Sequence, residues 1–160
     1  FLAPLRDEGL EKRTHGHTFS HFIRSGLLVS ELQSHADWMR SMAKAGILRG
    51  VVVRHEFGED LAATAEQCAG WARACSCQVQ ISIKTAGPST ALLNDDMQRL
   101  SVLTDQALSL SLENPELFFV FDTFLDVDRG YYPRLAFVDG HFNLRPAALT
   151  WQKRVAEQSL

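Results

Sequence analysis

QVQISIK, residues 78–84, decides between two folds. Side chains alternate along a strand, so Val79, Ile81 and Ile83 share one face and Gln80, Ser82 and Lys84 the other. In a doubly wound sheet helices cover both faces, and both faces are then apolar. A (β/α) barrel strand can set its apolar side against the helices and its polar side toward the barrel interior. The alternation therefore points to a barrel, with Lys84 at its upper rim.

The neighbouring segments agree. SELQSHADWMRSMAKAG, from Ser30, reads as one helix with Leu32, Ala36, Met39 and Ala43 on a single face and Gly46 as its stop. ILRGVVVRHEF is a Val-rich strand. Asp60 caps a second helix whose apolar stripe is Leu61, Ala65, Cys68, Ala72 and Cys75. After QVQISIK comes a loop broken by Gly87 and Pro88. Asn94 caps a third helix, with Asp95 and Asp96 in the first turn, where they suit the helix dipole. Its core face is Leu100, Leu103, Ala107 and Leu110, and Asn114-Pro115 ends it. LFFVFDTF is a third strand, and a final helix starts at about Pro146. Alternating strands and helices imply parallel strands joined by crossovers. No glycine-rich phosphate loop follows any strand, which weakens a dinucleotide-binding version. The fold expected is α/β, a partial (β/α) TIM-type barrel of parallel strands with outer helices.

Composition sets the bounds. The chain has 160 residues, 46% hydrophobic and 22% charged, which suits one soluble domain spanning 1–160. Its net charge of −3 gives no electrostatic argument for nucleic acid or an anionic membrane. No apolar run approaches the roughly 18 residues of a membrane span, and no signal peptide is visible. Cys68, Cys75 and Cys77 form no disulfide framework, so reduced thiols and a cytoplasmic setting are expected, with Cys75 and Cys77 as small core residues at a helix end. Residues 1–29 read as an irregular or cleft-forming segment; His15, His17 and His21 fit a loop better than a metal site. Three or four strands do not close a barrel of eight, and a complete barrel takes about 250 residues. The chain, which begins with Phe rather than Met, therefore reads as the C-terminal half of a barrel or a shorter open form of one.

Barrel chemistry sits at the C-terminal ends of the strands. The first strand ends in Arg54-His55-Glu56, the second in Lys84-Thr85, and the third in Asp122, followed by Asp126, Asp128 and Arg129. Glu56 and Asp122 are candidate catalytic carboxylates. Arg54 shares a face with Glu56 and can orient it or hold a substrate, whereas His55 points the other way. Lys84, partly desolvated on an inner face, is a candidate Schiff-base or general-base residue; the alternative is an ion pair with Glu56 or Asp122. Arg54, His55, Asp126, Asp128, Arg129 and Tyr131 are candidate substrate contacts, and Tyr131 and Tyr132 can line a flat polar ligand or pack the loop. Three aspartates suit a hard cation, but Arg129 already supplies positive charge beside them, and a turn held by aspartate-to-backbone bonds fits the segment better. No metal or cofactor is expected.

Two resemblances add to this reading. The tail LAFVDGHFNLRPAALTWQ is similar to the closing segment of clan-A glycoside hydrolases, the retaining (β/α)8-barrel glycosidases. Phe137-Val138-Asp139, the turn from Gly140 to Asn143, and Arg145-Pro146-Ala147 carry it, over roughly the last forty residues. The resemblance implies a barrel end and a carbohydrate-active enzyme acting on a sugar-type small molecule. Those glycosidases place a nucleophilic Glu at the end of the strand before the last, where this chain has Lys84-Thr85. Glu56 and Asp122 would then form a different pair, facing one pocket about 5–10 Å apart. SIKTAG loosely resembles the strand bearing the Schiff-base lysine of deoxyribose-phosphate aldolases, which implies a lyase using Lys84. A third alternative is a non-catalytic barrel fragment that binds a sugar or a partner. It would leave an exposed apolar flank, to be covered by self-association or by the missing N-terminal half.

Overall fold

A computed structural model describes residues 27–85, 94–126 and 135–158. Its elements are α1 (Val29–Ser34), α2 (Ala36–Lys44), β1 (Gly50–Glu56), α3 (Leu61–Cys75), β2 (Gln78–Lys84), α4 (Asn94–Glu113), β3 (Leu117–Phe121) and α5 (Pro146–Gln158). The strands form one sheet in chain order, β1-β2-β3, all parallel. Gly50 pairs with Gln78 through to Glu56 with Lys84, and Val79 with Leu117 through to Ile83 with Phe121. Leu27 adds a fourth position on the other side of β1: its N–H reaches Val52 O and its carbonyl accepts from Arg54 N–H, both at 2.8 Å. Parallel strands in chain order, with a helix between each pair, make up an arc of a (β/α) barrel. The α/β, partial TIM-type barrel is thus the observed architecture.

Alternation works as the sequence implies. Val51, Val53, Val79, Ile81, Ile83 and Leu117 are buried in one core with residues of α1, α2, α3 and α4. The α3 stripe from Leu61 to Cys75 is fully within it. Asp60 caps α3, its Oδ1 accepting from Ala62 N–H at 3.0 Å and Ala63 N–H at 3.2 Å. Ser76 ends the helix in the left-handed conformation, at φ 53°. All three cysteines are free and buried. Burial pushes the Cys68 thiol up to about 12 and raises Cys77 as well, so these are packing residues rather than reactive thiols.

Close approach of backbone explains one glycine. A Cβ on Gly50 would lie 2.9 Å from the carbonyl oxygen of Gln78, its partner across the β1–β2 ladder. A side chain there must push the strands apart.

The helix read from Ser30 to Gly46 is corrected to two, α1 and α2, broken at His35 with φ −112° and ψ 10°. The break changes the phase of the apolar stripe. Leu32, Met39 and Met42 are buried, whereas Ala36 and Ala43 are only half-buried. The LAFVD piece is a buried connector rather than a strand. Val138 bridges both Leu125 and Leu144, and with Leu135, Phe137, Ala147, Ala148 and Leu100 it forms a second core between α4 and α5. Asp139 organises the turn that follows: its Oδ1 accepts from His141 N–H at 2.9 Å and Asn143 N–H at 2.8 Å, and its Oδ2 from Asn143 Nδ2 at 3.0 Å. These bonds to Asn143 hold the Asp139 carboxyl below the usual carboxylate range. Among the described residues no helix is long and apolar enough to cross a membrane.

Candidate functional site

The face of the sheet away from the helices carries Arg54 and Glu56 on β1, and Gln80, Ser82 and Lys84 on β2. Register sets them in rows, Arg54 beside Ser82 and Glu56 beside Lys84. Asp122 follows β3 at the same level, because Phe121 pairs with Ile83 and Asp122 N–H donates to Ile83 O at 3.1 Å. Glu56, Lys84 and Asp122 therefore stand on three adjacent strand ends, at the C-terminal rim where barrel chemistry sits.

Each carboxylate has its own anchor. The guanidinium of Arg54 pairs with Glu56 through Nε and Oε1, both side chains being a little under half exposed. Asp122 Oδ1 accepts from Thr85 N–H at 2.9 Å, Thr85 Oγ1 at 2.8 Å and Thr123 Oγ1 at 3.2 Å. Thr85 and Thr123 are buried, so one oxygen of Asp122 is fixed by the β2 and β3 strand ends. Lys84 is half-buried, and among the described residues it makes no ion pair. The alternative of a Lys84 ion pair with Glu56 or Asp122 is thus not what forms.

Two of the expected ligand contacts have partners inside the fold. His55 lies on the helix side of β1 and is fully buried. Its Nδ1 sits 3.1 Å from Thr64 Oγ1 on α3 and 3.6 Å from Glu59 Oε2. Burial holds its pKa below the ordinary histidine value, against the pull of Glu59, Glu56 and Asp60. Strand alternation puts it one layer away from any rim ligand. Asp126 turns to Arg145, with Oδ2 2.8 Å from Nη2 and both side chains largely buried. It ties the loop after β3 to the start of α5. Asp128, Arg129, Tyr131 and Tyr132 lie outside the described residues, as do His15, His17, His21, Gly87 and Pro88.

Two features were missed in the sequence reading. One is the threonine pair that anchors Asp122. Its signal was present, since Lys84-Thr85 and Asp122-Thr123 repeat a polar-threonine step at two adjacent strand ends. The other is an apolar groove of about 390 Å³ beside β3, lined by Phe119, Phe121, Phe124, Phe137, Leu144 and Trp151 among others. Asp122 N–H and the carbonyl of Glu116 face β2, so by alternation the peptide groups of Phe119 and Phe121 face the groove side. Phe124 is 70% exposed. The sequence signal was four phenylalanines between positions 118 and 124, more than one strand face can bury.

No family model and no curated protein matches this chain. Solved structures do. Xylanase 10B from Thermotoga maritima aligns with 77% of this chain and 41% of its own, at 13% identity and a TM-score of 0.60. Xylanase 10B from Thermotoga petrophila, in complex with xylobiose, gives 76%, 41%, 13% identity and 0.59. An intracellular xylanase from Thermoanaerobacterium saccharolyticum gives 74%, 38%, 14% identity and 0.55. At these identities the likeness concerns the fold. The chain spans about two fifths of the xylanases it matches, and what it shares with them is an arc of their TIM barrel.

Proposed function

We propose that this chain is a carbohydrate-active barrel protein of glycoside-hydrolase type, with Glu56 and Asp122 as its working carboxylates. The observation that carries the reading is their placement on the first and third of three adjacent strand ends, on a fold shared with xylanases. Two strand spacings of about 4.8 Å put their backbones roughly 10 Å apart. Side chains leaning inward from that spacing leave room for a sugar ring and a water. That arrangement suits an inverting hydrolysis, whose carboxyl groups are about 6.5–9.5 Å apart. One carboxyl protonates the leaving oxygen while the other activates the water. Thr85 fixes one oxygen of Asp122 and Arg54 holds Glu56, so each carboxyl group has a set position at the rim. Release of reducing ends from xylotetraose tests the reading. Glu56→Gln and Asp122→Asn should each lower the rate by about 10²–10⁴-fold. Unchanged rates in both variants, or no release by the parent chain, would defeat it.

A second reading is favoured by the open groove at β3. Here the chain works as one part of a larger barrel, its groove covered by the next parallel strand. Uncharged edge strands with outward-facing peptide groups are rarely left bare. Hydrogen exchange is the check: the Phe119 and Phe121 amides should exchange much faster than those of Ile81 and Ile83. Equal protection in the isolated chain would mean that the edge is already covered.

A further inference from the structure

Lys84 distinguishes this rim. Glu56 is held by Arg54, and Asp122 Oδ1 is held by three donors. Between them stands Lys84, a half-buried residue with no ion pair among the described residues. Below it on the same strand face are the hydroxyl of Ser82, which is buried, and the amide of Gln80. Covering such a rim with a neutral sugar would strip water from a cation that has no direct ion pair among the described residues, which is costly. Covering it with an anionic group would replace that water by a counter-charge and a charge-assisted hydrogen bond. Asp122 Oδ1 is taken up by its three hydrogen bonds, and the charge of Glu56 is offset by Arg54.

We propose that the ligand of this rim is an anionic sugar, whose carboxylate or phosphate seats on the Lys84 ammonium. The proposal rests on the reading of the rim as a sugar site and specifies its substrate class. An ammonium is a compact point charge without a geometric demand, so it accepts a uronate or a sugar phosphate alike. The neutral part of the sugar lies across Gln80, and a hydroxyl reaches the exposed Asp122.

Calorimetric titration of the full chain with three probes separates the possibilities: xylotetraose, xylotetraose bearing a glucuronate branch, and glucose 6-phosphate. The branched oligomer should bind on the order of tenfold tighter than the neutral one at low salt. The advantage should shrink as salt rises. It should vanish in Lys84→Met, which keeps the aliphatic stem, and survive in Lys84→Arg; a thermal melt establishes that both variants are folded. Tight binding of glucose 6-phosphate without a gain from the branch would name phosphate as the anion. Equal binding of neutral and charged probes, or a gain that persists in Lys84→Met, overturns the proposal while leaving the sugar site standing. Failure of all three probes to bind sinks the sugar site and this inference together.

Discussion

His55 and Lys84 are both titratable residues at strand ends of one sheet, and they have opposite fates. His55 faces α3, is fully buried and is held against Thr64. Lys84 lies on the other face of the sheet, half-exposed, beside Glu56 and near Asp122. A single-residue step along a strand separates the layer that supplies stability from the layer that can touch a ligand. A polar residue at a barrel rim is therefore a functional candidate only after its face is known.

The largest expected effect tests that division on adjacent residues. Ile81→Ala, on the helix face and fully buried, should lower unfolding free energy by about 2–5 kcal/mol, and Ser82→Ala by far less. Urea denaturation of the two variants is the measurement, and similar losses would mean that the faces are misassigned.

Proton linkage gives the next. Burial lowers the pKa of His55 in the folded state, so below the ordinary value of 6.5 the unfolded chain binds the proton first. The His55 contribution to stability is thus complete above about pH 6.5 and is lost as pH falls, by at most about 1.4 kcal/mol per pH unit. In His55→Gln this part of the slope should disappear. A stability profile between pH 7 and 5 that matches the parent's would remove His55 from the account.

The smallest effect belongs to the rim. Arg54→Ala breaks an ion pair whose members are each more than two fifths exposed, and should change stability by less than about 1 kcal/mol. Sugar binding should weaken more than stability does. A large loss of stability with unchanged binding would assign Arg54 to the scaffold.

Much of this was legible in the chain. The α3 stripe and the Asp60 cap were legible because a cap and an apolar repeat depend on spacing within one element. QVQISIK showed its two faces for the same reason. His35 was not legible as a break, because its Ser-His-Ala surroundings carry no Gly or Pro to interrupt a helical pattern. Asp126 looked like its neighbours in an acidic run, yet its partner Arg145 is 19 residues away. The groove along β3 was hidden because phenylalanines read as core whether or not a neighbour arrives to cover them.

By itself the sequence determined the parallel α/β arrangement, the polar and apolar sides of β2, and the short set of rim residues, since alternation and capping are local. Only the tertiary structure decided which of those residues meet. Strand register set Glu56, Lys84 and Asp122 in one row, burial against α3 withdrew His55, Arg145 claimed Asp126, and the buried threonines fixed Asp122. Those outcomes depend on contacts between segments far apart in the chain, and no local pattern encodes them.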